Sequence, residues 1–101
     1  MADPTGATLP VVGVDGGQSQ TRLRLASSPQ VIELPGISRL ESDPDATLVA
    51  LLARAWVDHD LPGGVRLVLG LTTLPPDTAT REHLAARLAA ATGAAQVWLT
   101  D

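Results

Sequence analysis

Two helical segments, each lying between two strand-like segments, constrain the fold of this chain more than any other feature. The first helix is predicted to begin after Asp43, with Pro44 at its first position, and to end by residues 61–64. The second is predicted to begin at residues 77–80 and to end at Gly93. Because a strand–helix–strand connection is right-handed and joins parallel strands, the two units predict an α/β fold.

Three strand-like segments precede the first helix, at residues 10–15, 21–25 and 30–34. The links between them are short and rich in turn-forming residues, which favours an antiparallel meander. Two further strands are predicted at residues 65–69 and 97–99, and the former is apolar enough to be covered by helices on both faces. The order β-β-β-α-β-α-β therefore predicts a mixed five-stranded sheet with the strand order 3-2-1-4-5.

Composition excludes several classes of function. Aromatic residues make up 2% of the chain, with no Phe or Tyr, and the formal charge is −4. Base-stacking platforms of Phe or Tyr and a basic patch for nucleic acid are therefore both absent. The absence of cysteine excludes disulfides and thiolate metal sites, and the absence of lysine excludes a Walker-type phosphate lysine.

Neither a targeting signal nor an apolar run of about 20 residues, the length that spans a bilayer, occurs in the sequence. We therefore expect a cytoplasmic protein with no membrane partner. Residues 1–9 are small and polar and are expected to form a flexible leader, whereas residues 10–101 are expected to form one subdomain.

The segment with the most chemical information lies between the first two strands. Residues 13–21 read Gly-Val-Asp-Gly-Gly-Gln-Ser-Gln-Thr, so an acidic residue at the end of a strand precedes a glycine pair. The glycines let backbone N–H groups approach an anion, and Ser19 and Thr21 add hydroxyl donors. Asp15 would repel a phosphate unless a hydrated Mg²⁺ lay beside it. A plain hairpin turn explains the same residues equally well, and the segment alone leaves both interpretations open.

Residues 12–21 resemble the first phosphate motif of the BadF-type ATPase and N-acetylglucosamine kinase family, whose usual form is Asp-Gly-Gly-Gly-Thr-Lys-Thr. That family belongs to the group of sugar kinases, acetate kinases, heat-shock ATPases and actin, which share a ribonuclease H-like fold. Two other segments match by position. Residues 70–73, Gly-Leu-Thr-Thr, stand where the family has Gly-Leu-Ala-Gly, and residues 100–101, Thr-Asp, stand where it has Asn-Asp. The resemblance spans residues 11–101.

The chain departs from the family pattern at several positions. Gln18, Ser19 and Gln20 replace glycine, threonine and lysine, and the last of these changes removes a positive charge near the phosphates. Thr73 replaces the glycine of the second segment, and Thr100 replaces the asparagine of the third.

The resemblance implies an ATP-dependent small-molecule kinase that acts on an amino sugar similar to N-acetylglucosamine, with ATP and Mg²⁺ as cofactors. By the same resemblance, Asp15 holds Mg²⁺ through water and Asp101 is the catalytic base that takes the proton from the sugar hydroxyl. The implied phosphate-binding residues are Gly16, Gly17, Gln18, Ser19, Gln20 and Thr21, and the implied substrate contacts are Gly70, Leu71, Thr72 and Ser38.

Members of the family are longer and carry a second nucleotide-binding domain, so the chain is expected to be an N-terminal portion that is inactive alone. Its last strand, residues 97–99, is expected to be an unprotected sheet edge through which the chain forms a homo-oligomer. Two alternative functions remain open. One is an ATPase that activates a radical dehydratase, which would need cluster cysteines elsewhere. The other is a noncatalytic regulatory or binding module, which Gln18 and Gln20 favour.

Overall fold

The structure, a computed structural model, describes residues 9–38, 40 and 42–101. Its elements are β1 (Val11–Gly16), β2 (Gln20–Leu25), β3 (Val31–Pro35), α1 (Pro44–Asp58), β4 (Arg66–Leu71), α2 (Thr78–Thr92) and β5 (Gln96–Thr100). The sheet order is β3-β2-β1-β4-β5, in which β2 runs antiparallel to both neighbours and β1, β4 and β5 are parallel. The predicted α/β fold and strand order are confirmed. Residues 1–8 of the predicted leader lie outside the described residues.

Both helices begin at aspartate caps: Asp43, as predicted, for α1, and Asp77, within the predicted start at residues 77–80, for α2. The Asp43 carboxylate accepts a hydrogen bond from the Ala46 amide at 3.0 Å, and Pro44 occupies the first helical position. At the start of α2, the Asp77 carboxylate accepts from the Thr80 hydroxyl at 2.7 Å and from the Thr80 amide at 2.8 Å. These hydrogen bonds, the one from the hydroxyl first, lower the pKa of the Asp77 carboxyl group.

The two helices end differently. Gly93 ends α2 as predicted, in the left-handed conformation at φ 76°, and its amide donates to the Ala89 carbonyl. The α1 helix ends at Asp58, before the predicted stop at residues 61–64. The Trp56 indole N–H donates to the Pro62 carbonyl at 3.0 Å and so holds the chain after α1 against the helix.

Both helices pack on the same face of the sheet. Two successive right-handed crossovers in the same direction place both helices on one side, where they also contact each other. Alternate strand residues point to this face and form one core with the helices; its members include Val12, Val14, Leu23, Ile32, Leu48, Leu52, Trp56, Leu67, Leu69, Leu71, Leu84 and Leu88. None of the described helices is long and apolar enough to cross a membrane.

The opposite side of the sheet, called the open face here, carries no helix among the described residues. The prediction that residues 65–69 are covered on both faces is wrong, because Val68 points to the open face and is only half-buried. Trp98 also lies on this face and is 53% exposed, with the Arg66 guanidinium 4.7 Å from its ring centroid. A run of apolar residues alone does not reveal whether one or two layers of helix cover a strand.

The segment after β3 packs directly against the turn between β1 and β2. The Ile37 amide donates to the Gly17 carbonyl at 2.9 Å. A Cβ atom on Gly36 would overlap the Gln18 carbonyl oxygen and the backbone carbon of Ser19. Gly36 is therefore required for this close approach of two backbone segments.

We expect Gly36→Ala to lower the free energy of unfolding by about 1–3 kcal/mol, the usual cost of overpacking. Gly13→Ala is the matched control, because a Cβ at Gly13 would meet no atom within 4 Å, and its effect is expected to stay within about 0.5 kcal/mol. Urea unfolding followed by tryptophan fluorescence measures both variants. Equal stability of the two variants would show that the segment after β3 does not pack as described.

Candidate functional site

The carboxyl ends of the three parallel strands meet at one edge of the sheet. In the strand register, Asp15 lies opposite Gly70, and Gly70 lies opposite Thr100. Gly70, which has no side chain, lies between the polar residues Asp15 and Thr100. A Cβ atom at Gly70 would meet no atom within 4 Å. Space at the carboxyl ends of parallel strands is where open α/β sheets usually bind ligands.

A groove with a volume of about 530 Å³ lies at this edge. It is lined by Asp15, Gly16, Gly70, Leu71, Thr72, Leu74, Pro76, Arg81 and Asp101. The volume falls within the range of small-molecule sites. The structure thus brings together the residue predicted to hold the metal, Asp15, the predicted base, Asp101, and the predicted substrate contacts Gly70, Leu71 and Thr72.

The wall of the groove is fixed by contacts between β1 and the chain that follows β4. The Thr72 amide donates to the Gly16 carbonyl at 3.1 Å, and the Thr72 hydroxyl donates to the same oxygen at 3.4 Å. The Leu71 side chain packs over Gly16, and its Cδ2 would lie 2.8 Å from a Cβ placed there. Gly70 and Leu71 belong to β4 itself, which extends beyond the predicted end at residue 69.

Residues 17–19, called the β1–β2 turn here, and Gln20 at the start of β2 do not belong to the lining of the groove. The Gly17 amide donates to the Gln20 carbonyl at 3.0 Å, which closes the turn. The amides of Gln18 and Ser19 donate to no backbone carbonyl of the described residues, and both residues are exposed. Two neighbouring amides are therefore available for an anion, and the phosphate-binding role of this segment stays a prediction.

Thr21 points to the helix-covered side of the sheet. Its side chain is fully buried, and its Oγ1 has no hydrogen-bond partner. In this arrangement the hydroxyl does not line the groove, and its phosphate-binding role stays a prediction. An unpaired buried hydroxyl costs stability.

Ser38 also lies outside the lining of the groove. It directly follows Ile37, which is bound to the β1–β2 turn, and its Oγ accepts a hydrogen bond from the Leu40 amide at 3.0 Å. Its predicted contact with substrate stays a prediction. The neighbouring residue 39 lies outside the described part of the chain.

Three lining residues were not predicted from the sequence: Leu74, Pro76 and Arg81. Arg81 lies in the first turn of α2, where the helix dipole disfavours a cation. Its Nε donates to the Pro75 carbonyl, which directs the side chain along the loop before the helix. A cation in the first turn of a helix is the sequence feature by which Arg81 could have been found, whereas no comparable feature marks Leu74 or Pro76.

The charged groups of the groove fit a hydrated cation better than a metal bound only by protein ligands. The described residues contain no cluster of three His, Asp or Glu side chains that could enclose a metal ion. Mg²⁺ typically uses one or two carboxylates and completes its shell with water and substrate phosphate. The exposed carboxylates Asp15 and Asp101 are a donor set of this kind.

Comparison of the chain with protein-family models finds no match, and no curated protein matches it either. The resemblance to the BadF-type family therefore rests on the sequence motifs and their positions, and it stays a prediction.

We expect Thr21→Val to raise the free energy of unfolding by about 1 kcal/mol, because it replaces an unpaired buried hydroxyl with a methyl group of similar size. Thr92→Val is the control and is expected to lower it by a similar amount. The buried Thr92 hydroxyl donates to the Leu88 carbonyl at 2.8 Å and accepts from the Ala94 amide at 3.2 Å. Chemical denaturation of both variants measures the difference, and a loss of stability in both would contradict the assignment of an unpaired Thr21.

Proposed function

We propose that this chain is the N-terminal portion of an ATP-dependent small-molecule kinase of the BadF-type family and contributes the phosphate-binding turn and the acceptor-side carboxylate. The observation that carries the proposal is the meeting of Asp15 and Asp101, from distant parts of the chain, in one groove beside the β1–β2 turn. Phosphoryl transfer depends on positioning, charge neutralisation and a base close to the acceptor hydroxyl. The resemblance to the family suggests an amino sugar as the acceptor.

The phosphate side of the proposed site is the β1–β2 turn. The exposed amides of Gln18 and Ser19 bind phosphate oxygens, and the Ser19 hydroxyl is a further donor. Asp15 holds Mg²⁺ through water at the end of β1. When bound, Mg²⁺ supplies positive charge that offsets the charge of the phosphates.

The acceptor side of the proposed site is the groove above Gly70. Because this glycine leaves space between Asp15 and Thr100, an acceptor placed there lies near both carboxylates of the groove. The acceptor hydroxyl oxygen bonds to the γ-phosphorus as the bond from that phosphorus to the bridging oxygen of ADP breaks. Asp101 orients the hydroxyl and accepts its proton.

The two carboxylates are expected to act on different partners. Asp15→Asn should weaken the Mg²⁺ dependence of ATP binding, whereas Asp101→Asn should leave ATP binding unchanged and lower phosphoryl transfer by about 10²–10⁴-fold in any active protein that contains this chain. Isothermal titration calorimetry with Mg²⁺ and ATP measures the first effect, and product formation measures the second.

Glu82→Gln is the control for loss of one exposed carboxylate outside the groove and should affect neither measurement. Phosphoryl transfer that survives Asp101→Asn would exclude Asp101 as the base. ATP hydrolysis without transfer to any small molecule would favour the dehydratase-activating ATPase, and the absence of nucleotide binding would favour a noncatalytic module.

The 101-residue chain alone is expected to bind nucleotide without turning it over. Its groove is open, with Asp15, Thr72 and Asp101 all exposed, so bound phosphates would stay hydrated. Steady-state release of ADP should equal the buffer background. A release of ADP above that background that disappears in Asp15→Ala would show that the single subdomain is a complete enzyme.

A further inference from the structure

We infer that the ligand of the groove carries a carboxylate group and that Arg81 binds it. The identification of this ligand as the phosphoryl acceptor rests on the function proposed above. The inference changes the expected substrate class from a neutral amino sugar to a hydroxyl-bearing acid, such as a sugar acid or a small hydroxy acid.

The first argument is the distribution of charge in the groove. Arg81 is the one cationic residue in its lining, and the other charged groups there are the carboxylates Asp15 and Asp101. A ligand that presents a hydroxyl to Asp101 and an anionic group to Arg81 would satisfy both kinds of charge. A neutral sugar would offer no anionic group to the guanidinium.

The second argument is the state of the Arg81 side chain. The residue is half-buried, and its Nε is held by the Pro75 carbonyl, so the guanidinium is positioned before any ligand arrives. Within the described residues the two Nη nitrogens of Arg81 make no hydrogen bond. The ion pair found among these residues joins Arg54 and Asp58 and does not involve Arg81. Two N–H groups in one plane match the two oxygens of a carboxylate.

The nearest acidic neighbour does not serve as that counter-charge. The hydrogen bonds from Thr80 lower the pKa of the Asp77 carboxyl group and the Arg81 guanidinium adds a smaller effect, but no ion pair forms between Asp77 and Arg81. The Asp77 carboxylate is instead bound to the amide and hydroxyl of Thr80. A cation in the first turn of α2 therefore has neither the helix dipole nor an ion pair to stabilise it.

The third argument places Arg81 on the acceptor side of the site. It lies on the wall formed by the chain after β4, together with Thr72 and Leu74, in the same groove as Asp101. The β1–β2 turn, which carries the free amides proposed to bind ATP phosphates, is not part of this lining. Arg81 is therefore assigned to the acceptor and not to the nucleotide.

The test compares acids with their neutral counterparts on the 101-residue chain. Two pairs are used, D-glucuronate with D-glucose and D-glycerate with glycerol, and binding is measured from amide chemical shifts during NMR titration. We expect at least one acid to bind about tenfold or more tightly than its neutral counterpart, the effect of one hydrogen bond between charged groups. The shifts should include the amides of Thr72 and Asp101.

Arg81→Gln should remove this preference, and Arg87→Gln should keep it. Arg87 is a matched control because it is also a half-buried arginine on α2, but it does not line the groove. Unchanged amide shifts in the rest of α2 would show that Arg81→Gln leaves the helix folded.

Equal binding of acid and neutral compound, no saturable binding of either acid, or a preference that persists in Arg81→Gln would overturn the inference. It would also be overturned if Arg81→Gln weakened the binding of Mg²⁺ and ATP but left the preference for acids. If the chain binds no ATP and Arg81→Gln removes the preference for acids, the result would support the carboxylate site and contradict the proposed kinase function.

Discussion

The parallel pairing of β1 with β4 is the contact on which the rest of the candidate site depends. It places Asp15 directly opposite Gly70, and β5, paired to the other side of β4, adds Thr100 and Asp101 at the same edge. On its other side β1 pairs with β2, so the glycine-containing turn also begins at this end of the sheet. The central position of one strand thus assembles groups that are far apart in the sequence.

Two local features near this edge are unfavourable for stability. Thr21 has a buried hydroxyl without a partner, and Arg81 is a cation in the first turn of a helix that forms no ion pair with the described residues. Such departures from ordinary rules tend to concentrate at functional sites, where binding of a ligand compensates for them. Of the two, only Arg81 lines the groove and agrees with a binding role for this edge, because the Thr21 side chain faces the helix-covered side.

The sequence was sufficient to predict the features that depend on neighbouring residues. The caps at Asp43 and Gly93 and the order of strands follow from local patterns and from the handedness of crossovers. Strict alternation also places Thr21 on the same face as Leu23, so its burial was predictable, although the family motif suggested a phosphate contact. Arg81 was harder to find, because its direction depends on the course of the chain through Pro75 before α2.

The most direct test of a nucleotide and acceptor site at this edge is an NMR titration of the chain with Mg²⁺ and a non-hydrolysable ATP analogue. The account predicts saturable shifts of the Gln18 and Ser19 amides together with those of Asp15 and Asp101. Amides around the smaller cavity at the end of α1, near Ser28 and His59, should not shift. Shifts confined to that second cavity, or no saturable shifts, would contradict the central claim.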